Sequence, residues 1–215
     1  MPSIDLSKFT LAILAGGKGS RMGKPKGELT VHGKPILTYL LDRFQWPGPT
    51  LLVTAKGREN SPGYESFTQQ AIDPVAGQGP LRGVLTALEA TPTLFTLITT
   101  VDMPEIGTEQ LQWLIQNVSR HGDALGMLME RPGNPPQIEP FPSIFHRDAA
   151  GVIGSQLETG RFSVHSLAQS PYFFLAPVPV DWPEEVWTNL NRPEDLLKWQ
   201  RNSQKKNCNN PDQSV

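Results

Sequence analysis

The stretch that decides the fold runs from Phe9 to Lys26 and reads FTLAILAGGKGSRMGKPK. It opens with a short apolar run, Phe9–Leu14, that ends at glycines, and we predict a buried parallel strand there that leads into a loop. From Leu14 to Lys26, four glycines and four cations share thirteen positions. Since glycines allow backbone N–H groups to come close to phosphate oxygens, we predict a phosphate-binding loop. A flexible, solvated loop is the alternative.

Two familiar phosphate-binding motifs do not fit this loop. The P-loop requires a Gly-Lys pair followed by Ser or Thr, but Gly23-Lys24 is followed by Pro25. The dinucleotide-binding fingerprint requires glycines at positions i, i+2 and i+5, and counting from Gly17 the last of these is Met22. The loop is therefore predicted to bind phosphate in another arrangement.

Strand and helix patterns alternate along the rest of the chain. A short extended piece is predicted at 29–31, and strands are predicted at 50–55, 70–73, 94–101, 124–129 and 172–178. Helices are predicted at 36–44, 81–88, 111–118, 152–157, 163–169 and 193–199. Strands that alternate with helices predict an α/β fold with a doubly wound, mostly parallel sheet and helices on both faces.

Length and local composition indicate the domain organisation. A chain of 215 residues is long enough for one α/β domain, which we place at 1–201. Five prolines between Arg131 and Pro142 predict a surface loop, or an excursion towards a partner or substrate. The tail at 202–215 is rich in Asn, Gln and Lys and lacks apolar periodicity, so we predict that it is disordered.

The overall charge and the cysteine count exclude several classes of protein. With 19 basic and 21 acidic residues, the formal net charge of -2 provides no positive field for nucleic acid or an anionic membrane. The single cysteine, Cys208, excludes an intramolecular disulfide and a cysteine-based metal cluster. Residues 1–8 do not read as an export signal, and the apolar stretch 9–15 is too short to cross a bilayer. We therefore expect a cytoplasmic protein.

Two aspartates lie at the ends of predicted strands. Asp102 follows the run 94–101, at the end of a parallel strand where such sheets bind ligands. Mg²⁺ prefers one or two carboxylates together with phosphate oxygens and water, so Asp102 is predicted to hold this ion. The alternative role for Asp102 is a helix cap or turn residue before Pro104. Asp73 ends the strand 70–73 and, taken alone, is also consistent with a turn before a helix.

Four segments, in order along the chain, resemble the molybdenum cofactor guanylyltransferase family of MobA-like NTP transferases. The first, from Leu14 to Lys26, resembles the signature Leu-Ala-Gly-Gly-x-x-x-Arg-Met-Gly-x-x-Lys. The other three are Asp73 with Gly79-Pro80-Leu81-Arg82-Gly83, the Gly-x-Arg-x-Val-like element Gly160–Val164, and Asn189–Leu196. The last resembles Asn-x-Asn-Thr-Pro-Glu-Asp-Leu, with Arg192 in place of Thr.

The resemblance implies a Rossmann-like fold of the nucleotide-diphospho-sugar transferase type. Its nucleotide-binding half would span about 9–105 and its acceptor-binding half about 106–201. In the family, GMP passes from GTP to the phosphate of molybdopterin, which yields the guanine dinucleotide cofactor and pyrophosphate. GTP and molybdopterin, or the molybdenum cofactor, are thus the implied substrates, and Mg²⁺ is the implied cofactor. Transient contact with cofactor-delivery proteins or molybdoenzymes is consistent with this reading.

The resemblance also assigns roles to individual residues. The implied nucleotide-binding residues are Leu14, Ala15, Gly16, Gly17, Lys26, Asp73, Gly79, Pro80 and Asp102. Arg21 and Lys26 would neutralise the triphosphate, and with Asp102 they form the implied catalytic set. The implied acceptor-binding residues are Arg161, Asn189 and Asn191. Two alternatives stay open: Arg161 as a solvated charge at a helix start, and Asn191 as the N-cap of a helix that follows a strand.

Two departures from the family pattern concern the base and the acceptor. Lys24-Pro25-Lys26 stands where guanylyl enzymes commonly have Gly-x-Asp-Lys, and it is similar to cytidylyl relatives. The extra prolines at 135–142 make the acceptor side unusual. A cytidylyltransferase acting on molybdopterin or another phosphorylated small molecule is therefore the alternative enzyme. A nucleotide-binding regulator or carrier without transfer activity is the alternative from another class.

Overall fold

The central element of the fold is a seven-stranded sheet. The structure is a computed structural model that describes residues 5–17, 19–75 and 77–209. Side chains are described as far as residue 203. The strands are β1 (Phe9–Leu14), β2 (Thr30–Val31), β3 (Lys34–Pro35), β4 (Thr50–Ala55), β5 (Gln69–Asp73), β6 (Phe95–Thr100), β7 (Gly126–Arg131), β8 (Gln137–His146) and β9 (Phe173–Pro177). The α-helices are α1 (Ile36–Phe44), α2 (Gly79–Ala90), α3 (Thr108–Val118), α4 (Ala149–Glu158) and α5 (Pro193–Asn209).

The order of the strands confirms a mostly parallel, Rossmann-like sheet. The sheet runs β5-β4-β1-β6-β8-β7-β9, and β2 pairs with β3 in a separate two-residue hairpin. Strand β8 is antiparallel to both of its neighbours, β6 and β7, while the other pairs in the large sheet are parallel. Consecutive residues of β1, from Thr10 to Ile13, are all fully buried. Because neighbouring side chains in a strand point to opposite faces, both faces of the sheet are covered.

Local patterns account for the elements of the first half. Strands β1 and β4 have the predicted bounds, and α1 begins directly after Pro35, as a helix with proline at its start should. In α2 the buried side chains include Leu81, Val84, Leu85 and Leu88, which recur at the spacing of one helix face. These helices and strands place the glycine-rich loop and both aspartates at the same edge of the sheet.

The predicted loop at 131–142 is wrong from Gln137 onwards, because β8 begins there. Between the pairs Met127–Ile144 and Met129–Glu139, the chain advances by two residues along β7 and by five along β8. The extra residues form a bulge that contains Pro140 and Pro142. A bulge accommodates residues that cannot donate to the hydrogen-bonded ladder, so these prolines interrupt the strand pattern in the sequence without ending the strand.

The tail predicted at 202–215 begins within α5, which continues as a helix to Asn209. The helix is anchored by Trp199, which is buried and contacts the rings of His32 and Tyr39. Once a helix is nucleated, polar residues extend it at little cost, so apolar periodicity is not required there. Positions 210–215 lie outside the described residues. Within the described ranges, no helix combines the length and apolar content needed to cross a membrane.

Candidate active site

A cavity of about 530 Å³, here called the nucleotide cavity, lies where the parallel strands β1, β4, β5 and β6 end. This is the edge at which open α/β sheets bind ligands. Its lining includes Leu14, Gly16, Gly17, Lys26, Lys56, Arg58, Asp73, Gly79, Pro80, Thr100 and Asp102. Gly16 lies so close to the next strand that an added Cβ would be 3.2 Å from the Ala55 amide nitrogen. The glycine thus lets the loop after β1 lie flat against the end of β4.

Lys26 lines the nucleotide cavity and contacts both the end of β6 and the C-terminal segment. It begins a short 3₁₀ turn, Lys26–Glu28, whose buried Gly27 packs so closely on Ser61 that a Cβ would be 2.8 Å from the Ser61 hydroxyl. The Lys26 ammonium Nζ lies 2.5 Å from Oδ2 of Asp102 and 2.8 Å from Oδ1 of Asn191. The side chains of Lys26 and Asp102 are only 15% and 16% exposed, so water screens their attraction weakly. A cation and a carboxylate are therefore held together at this point.

Asp102 connects the sheet to the C-terminal segment as well as to Lys26. It is the second residue after β6, and the amide of the intervening Val101 donates to the carbonyl of Leu14 at 3.1 Å. The amide of Leu190 donates to the backbone carbonyl of Asp102 at 2.8 Å. These backbone bonds bring the Asn189–Asn191 segment to the strand edge, where Asn191 meets Lys26.

Asp73 lies at the end of β5, within the nucleotide cavity and apart from the Lys26 contact. The Thr86 hydroxyl, on α2, donates to its carboxylate at 2.5 Å. Burial raises the pKa of Asp73, while the Thr86 hydrogen bond and the positive charge of Arg82 oppose this shift. The carboxyl group is therefore oriented by α2, and the energetic cost of keeping it charged is only partly offset.

Gly79 joins the nucleotide cavity to another segment with a predicted function. Its φ is +62°, a backbone conformation that favours glycine, and an added Cβ would lie 2.6 Å from the carbonyl oxygen of Phe162. The Leu81 amide donates to the same oxygen at 3.3 Å. The Gly79-Pro80 turn is thus packed directly against the segment that contains Arg161.

A second cavity of about 680 Å³, here called the acceptor cavity, adjoins the first. The two cavities share Pro80, Thr100 and Asp102 as lining residues. The rest of the acceptor cavity is lined by Met103, Pro136, Gln137, Ile138, Glu139, Pro140, Phe141, His165 and Asn189. Most of these side chains come from the start of β8 and the bulge that follows, so the proline-rich segment forms one wall of this cavity.

Most of the residues that the sequence assigned to the nucleotide come together in one place. Of the nine, all except Ala15 line the nucleotide cavity. Ala15 is buried, and its amide donates to the carbonyl of Val53 at 2.8 Å, so it fixes the loop to β4 instead of facing the cavity. On the acceptor side, Asn189 lines the second cavity and Asn191 contacts Lys26.

Two predicted arginines lie away from these cavities. Arg21 is exposed and lines neither one, while its neighbour Met22 is buried in the core and anchors the loop. Arg161 is likewise exposed and outside both linings, in the turn after α4, where its amide donates to the Gln156 carbonyl at 3.0 Å. In both cases the backbone path turns the side chain outwards.

The N-cap interpretation of Asn191 is wrong. The amides of Asn191 and Arg192 donate to a carboxylate oxygen of Asp195, at 3.0 and 2.8 Å, so Asp195 caps the start of α5. The side-chain oxygen of Asn191 accepts from Lys26 instead. No strand precedes this helix within the described residues 188–192.

Sequence reasoning missed the cations Lys56 and Arg58, which line the nucleotide cavity. The Arg58 guanidinium donates to the carbonyl of Gly16 at 3.1 Å and also to that of Gly17. These bonds hold the glycine loop through the carbonyl groups of Gly16 and Gly17, which point towards Arg58. Their position in the sequence could have identified them, because both cations lie within three residues of the end of β4, the neighbour of β1 in the sheet.

Comparisons with known proteins agree with this architecture. A protein of Flavobacterium johnsoniae named probable molybdenum cofactor guanylyltransferase is 30% identical over 194 residues, which cover 89% of this chain and 96% of the relative. A protein of Thermococcus sibiricus with the same name is 26% identical over 192 residues, covering 86% of this chain and 94% of the relative.

A solved structure from Archaeoglobus fulgidus, molybdopterin-guanine dinucleotide biosynthesis protein A, has the same fold. Its TM-score is 0.76 at 21% identity, and the match covers 91% of this chain and 99% of that one. The family model of the MobA-like NTP transferase domain matches residues 11–170, which include most of β1 and all of the glycine-rich loop, both aspartates and β8. The chain therefore belongs to the MobA-like NTP transferase family.

Proposed function

We propose that this chain transfers GMP from GTP to the phosphate of molybdopterin or of the molybdenum cofactor, with release of pyrophosphate. The observation that carries the proposal is the meeting of two cavities at Asp102, beside the Lys26 ammonium. A transferase that joins two phosphorylated substrates needs two such sites with their reacting groups in contact. The names of the relatives from Flavobacterium johnsoniae and Thermococcus sibiricus support the choice of substrates.

The nucleotide cavity suits a nucleoside triphosphate in size and charge. Its volume of about 530 Å³ lies within the range of roughly 300–1,000 Å³ that small-molecule sites occupy. The described lining contains three cations, Lys26, Lys56 and Arg58, against the carboxylates Asp73 and Asp102. The protein as a whole has a net charge of -2, so this local excess of positive charge is what favours a triphosphate there.

The proposed reaction is an in-line displacement at the α-phosphorus of GTP. An oxygen of the acceptor phosphate forms the new bond to phosphorus, and the bond between the α-phosphorus and the bridging oxygen breaks, so pyrophosphate leaves. A phosphate monoester is already ionised near neutral pH, so no side chain has to remove a proton. Lys26 stabilises the negative charge that develops around the phosphorus. Arg21 and Arg161 lie outside the lining of both cavities and have no role in this step.

Magnesium is part of the proposal, with Asp102 as its protein ligand. Within the described part of the chain, no group of three or more His, Cys, Asp or Glu side chains could hold a metal. This fits Mg²⁺, which is commonly held by one or two carboxylates and otherwise by substrate phosphates and water. Such an ion would withdraw charge from the phosphate oxygens of the substrates. Asp102 is placed for this at the junction of the two cavities.

The test is pyrophosphate release by the purified chain with molybdopterin and GTP, CTP, ATP or UTP in parallel, each with Mg²⁺ or with EDTA. We expect release with GTP and Mg²⁺ and none when the metal is chelated. Release that survives chelation would contradict the role of Mg²⁺. If no pyrophosphate were released with any of the four nucleotides, despite proven loading with the pterin, the transferase assignment would be contradicted.

The same experiment separates the two alternatives. Release with CTP alone would identify a cytidylyltransferase, which is the reading that Lys24-Pro25-Lys26 favours. Nucleotide binding without pyrophosphate release would identify a regulator or carrier. A pure binder has no need of the Lys26–Asp102 pair where the two cavities join, and this geometry favours an enzyme.

A further inference from the structure

The two cavities carry opposite charge. The described lining of the acceptor cavity includes the carboxylates of Asp102 and Glu139 and the imidazole of His165, but no lysine or arginine. The nucleotide cavity has three cations on its described lining. Of these charged groups, Lys26 lies beside Asp102 where the two cavities meet, whereas the charged side chain on the far wall of the acceptor cavity is the carboxylate of Glu139. A molecule that fills the acceptor cavity therefore has to provide hydrogen-bond donors to that carboxylate.

Glu139 is held rigidly in the wall of the acceptor cavity. It lies on β8 opposite Met129 of β7, and its side chain is 14% exposed. The Arg131 Nε donates to its Oε1 at 2.6 Å. Arg131 also donates to Gln137 at 2.7 Å and to Glu184 at 3.1 Å. Arg131 therefore holds the Glu139 carboxylate in place, and Gln137 and Glu184 in turn hold Arg131.

The carboxylate of Glu139 has more acceptor capacity than this ion pair uses. Each carboxylate oxygen can accept two hydrogen bonds, so the contact with Arg131 leaves both oxygens able to accept from a ligand. A carboxylate recognises best a planar group that presents two adjacent N–H donors. The pyrimidine ring of a pterin has such an edge, formed by N3–H and the 2-amino group.

We propose that Glu139 recognises the N3–H and 2-amino edge of the acceptor's pterin, so that the acceptor phosphate is directed towards Lys26 and Asp102. This inference rests on the proposed function, because it takes the acceptor to be a pterin phosphate. The charge asymmetry fixes the orientation, since the phosphate is attracted to Lys26 and the donor-rich ring is complementary to Glu139. Glu139 is thereby a specificity-determining residue for the acceptor.

The test is the substitution Glu139→Gln. The amide keeps the size of the side chain and an oxygen for Arg131, but it places an NH₂ group where one acceptor oxygen stood. We expect the KM for molybdopterin to rise by about 10- to 100-fold, the range for a hydrogen bond to a charged group. The KM for GTP and kcat should change by less than about twofold, because the nucleotide cavity and Lys26 are untouched.

The matched control is Glu184→Gln. Glu184 pairs with the same Arg131, but its side chain is 89% exposed and lies outside the acceptor cavity lining. We expect its KM values to equal those of the wild type. If both substitutions raised the KM for the acceptor equally, the effect would come from loosening Arg131, and the proposal would be overturned.

A binding measurement separates this inference from the transferase assignment. Calorimetric titration with free pterin and with lumazine, which has a carbonyl oxygen in place of the 2-amino group, does not require turnover. We expect the wild type to prefer pterin and Glu139→Gln to lose that preference. This result supports the inference even if no nucleotide is transferred.

Three results would overturn the inference. Transfer by the wild type with an unchanged acceptor KM in Glu139→Gln would leave the transferase assignment standing and remove Glu139 from acceptor recognition. A rise in the KM for GTP alone would mean that Glu139 contacts guanine, which presents a similar edge. Failure of the wild type to bind free pterin or to discriminate it from lumazine would also contradict the proposal.

Discussion

The nucleotide cavity and the acceptor cavity meet at Asp102 but are built in different ways. The nucleotide cavity lies where parallel strands end, and it uses glycine backbone and cations from the loops that follow β1 and β4. The acceptor cavity is walled by β8, the strand that runs antiparallel to its neighbours, and by its bulge. One cavity is made of loop backbone and the other largely of strand side chains.

This difference indicates a division of tasks. Loops at the carboxyl edge of a parallel sheet bring backbone groups and charge to a phosphate, which every nucleotide shares. Side chains along a bulged strand present a fixed pattern of donors and acceptors, which can distinguish one acceptor from another. We therefore expect substitutions at the junction to abolish transfer, and substitutions within one cavity to affect a single substrate or the fold alone.

The largest effect is expected at the junction itself, for Asp102→Asn. The amide keeps the backbone bond to Leu190 and the size of the side chain, but it removes the charge that both Lys26 and the proposed Mg²⁺ require. We expect kcat for GMP transfer to fall by about 10³-fold. Steady-state rates at increasing Mg²⁺ measure this. Wild-type turnover by this variant would mean that the two cavities do not react through Asp102.

Lys26→Ala should cause the next largest loss, about 10²-fold in kcat/KM for GTP, because it removes the cation beside the reacting phosphates. The control is Lys34→Ala, which breaks the ion pair with Asp42. The side chains of Lys34 and Asp42 are 59% and 53% exposed, so this change should cost less than about 0.5 kcal/mol and leave the kinetics unaltered. Equal losses in the two variants would argue against a specific role for Lys26.

Gly79→Ala tests whether the nucleotide cavity depends on close backbone packing. An added Cβ would approach the Phe162 carbonyl to 2.6 Å, and φ is +62°, so we expect a loss of about 2 kcal/mol in the free energy of unfolding. Denaturant titration gives the value. Gly77→Ala is the control, since its φ is +86° but nothing lies within 4 Å of the new methyl group. It should lose only about 1 kcal/mol. Equal losses would show that packing against Phe162 is unimportant.

The smallest effect is expected for Asp73→Asn and concerns stability. Burial raises the pKa of Asp73 above the value of 3.8 for an unburied aspartate, so the folded protein holds this proton more tightly than the unfolded chain. The resulting stabilisation is present below the unfolded pKa and is lost as pH rises through the folded pKa. At neutral pH the charged Asp73 carboxylate therefore destabilises the folded protein, and replacing it with an amide should raise Tm by about 1–2 °C.

This gain should shrink as the pH falls through the raised pKa of folded Asp73, because the wild-type carboxyl group is then neutral as well. Thermal unfolding of Asp73→Asn and wild type between neutral pH and about pH 4 measures the difference. The exposed Asp123→Asn is the control and should show no gain at any pH. A gain for Asp73→Asn that does not depend on pH would contradict burial as the cause.

Sequence patterns predicted the nucleotide half well because its determinants are local. An apolar run, a glycine-rich loop and an amphipathic helix are each contained within a few consecutive residues, and β1, β4 and α1 have the predicted bounds. Strand β8 was missed because Pro140 and Pro142 break the alternation that identifies a strand. The extension of α5 was missed because a polar helix leaves no apolar period once it has been nucleated elsewhere.

The sequence by itself determined the α/β class, the glycine-rich loop and the candidate aspartates, since these follow from residue type and short-range spacing. Only the tertiary structure decided which charges line the two cavities. Lys26 and Arg21 share one loop, yet burial of Met22 leaves Arg21 outside while the turn after Pro25 brings Lys26 to Asp102. Lys26 and Asn191 are 165 residues apart in sequence, and they meet because backbone hydrogen bonds carry the C-terminal segment to the end of β6. A contact of that kind depends on the path of the whole chain, and no local pattern encodes it.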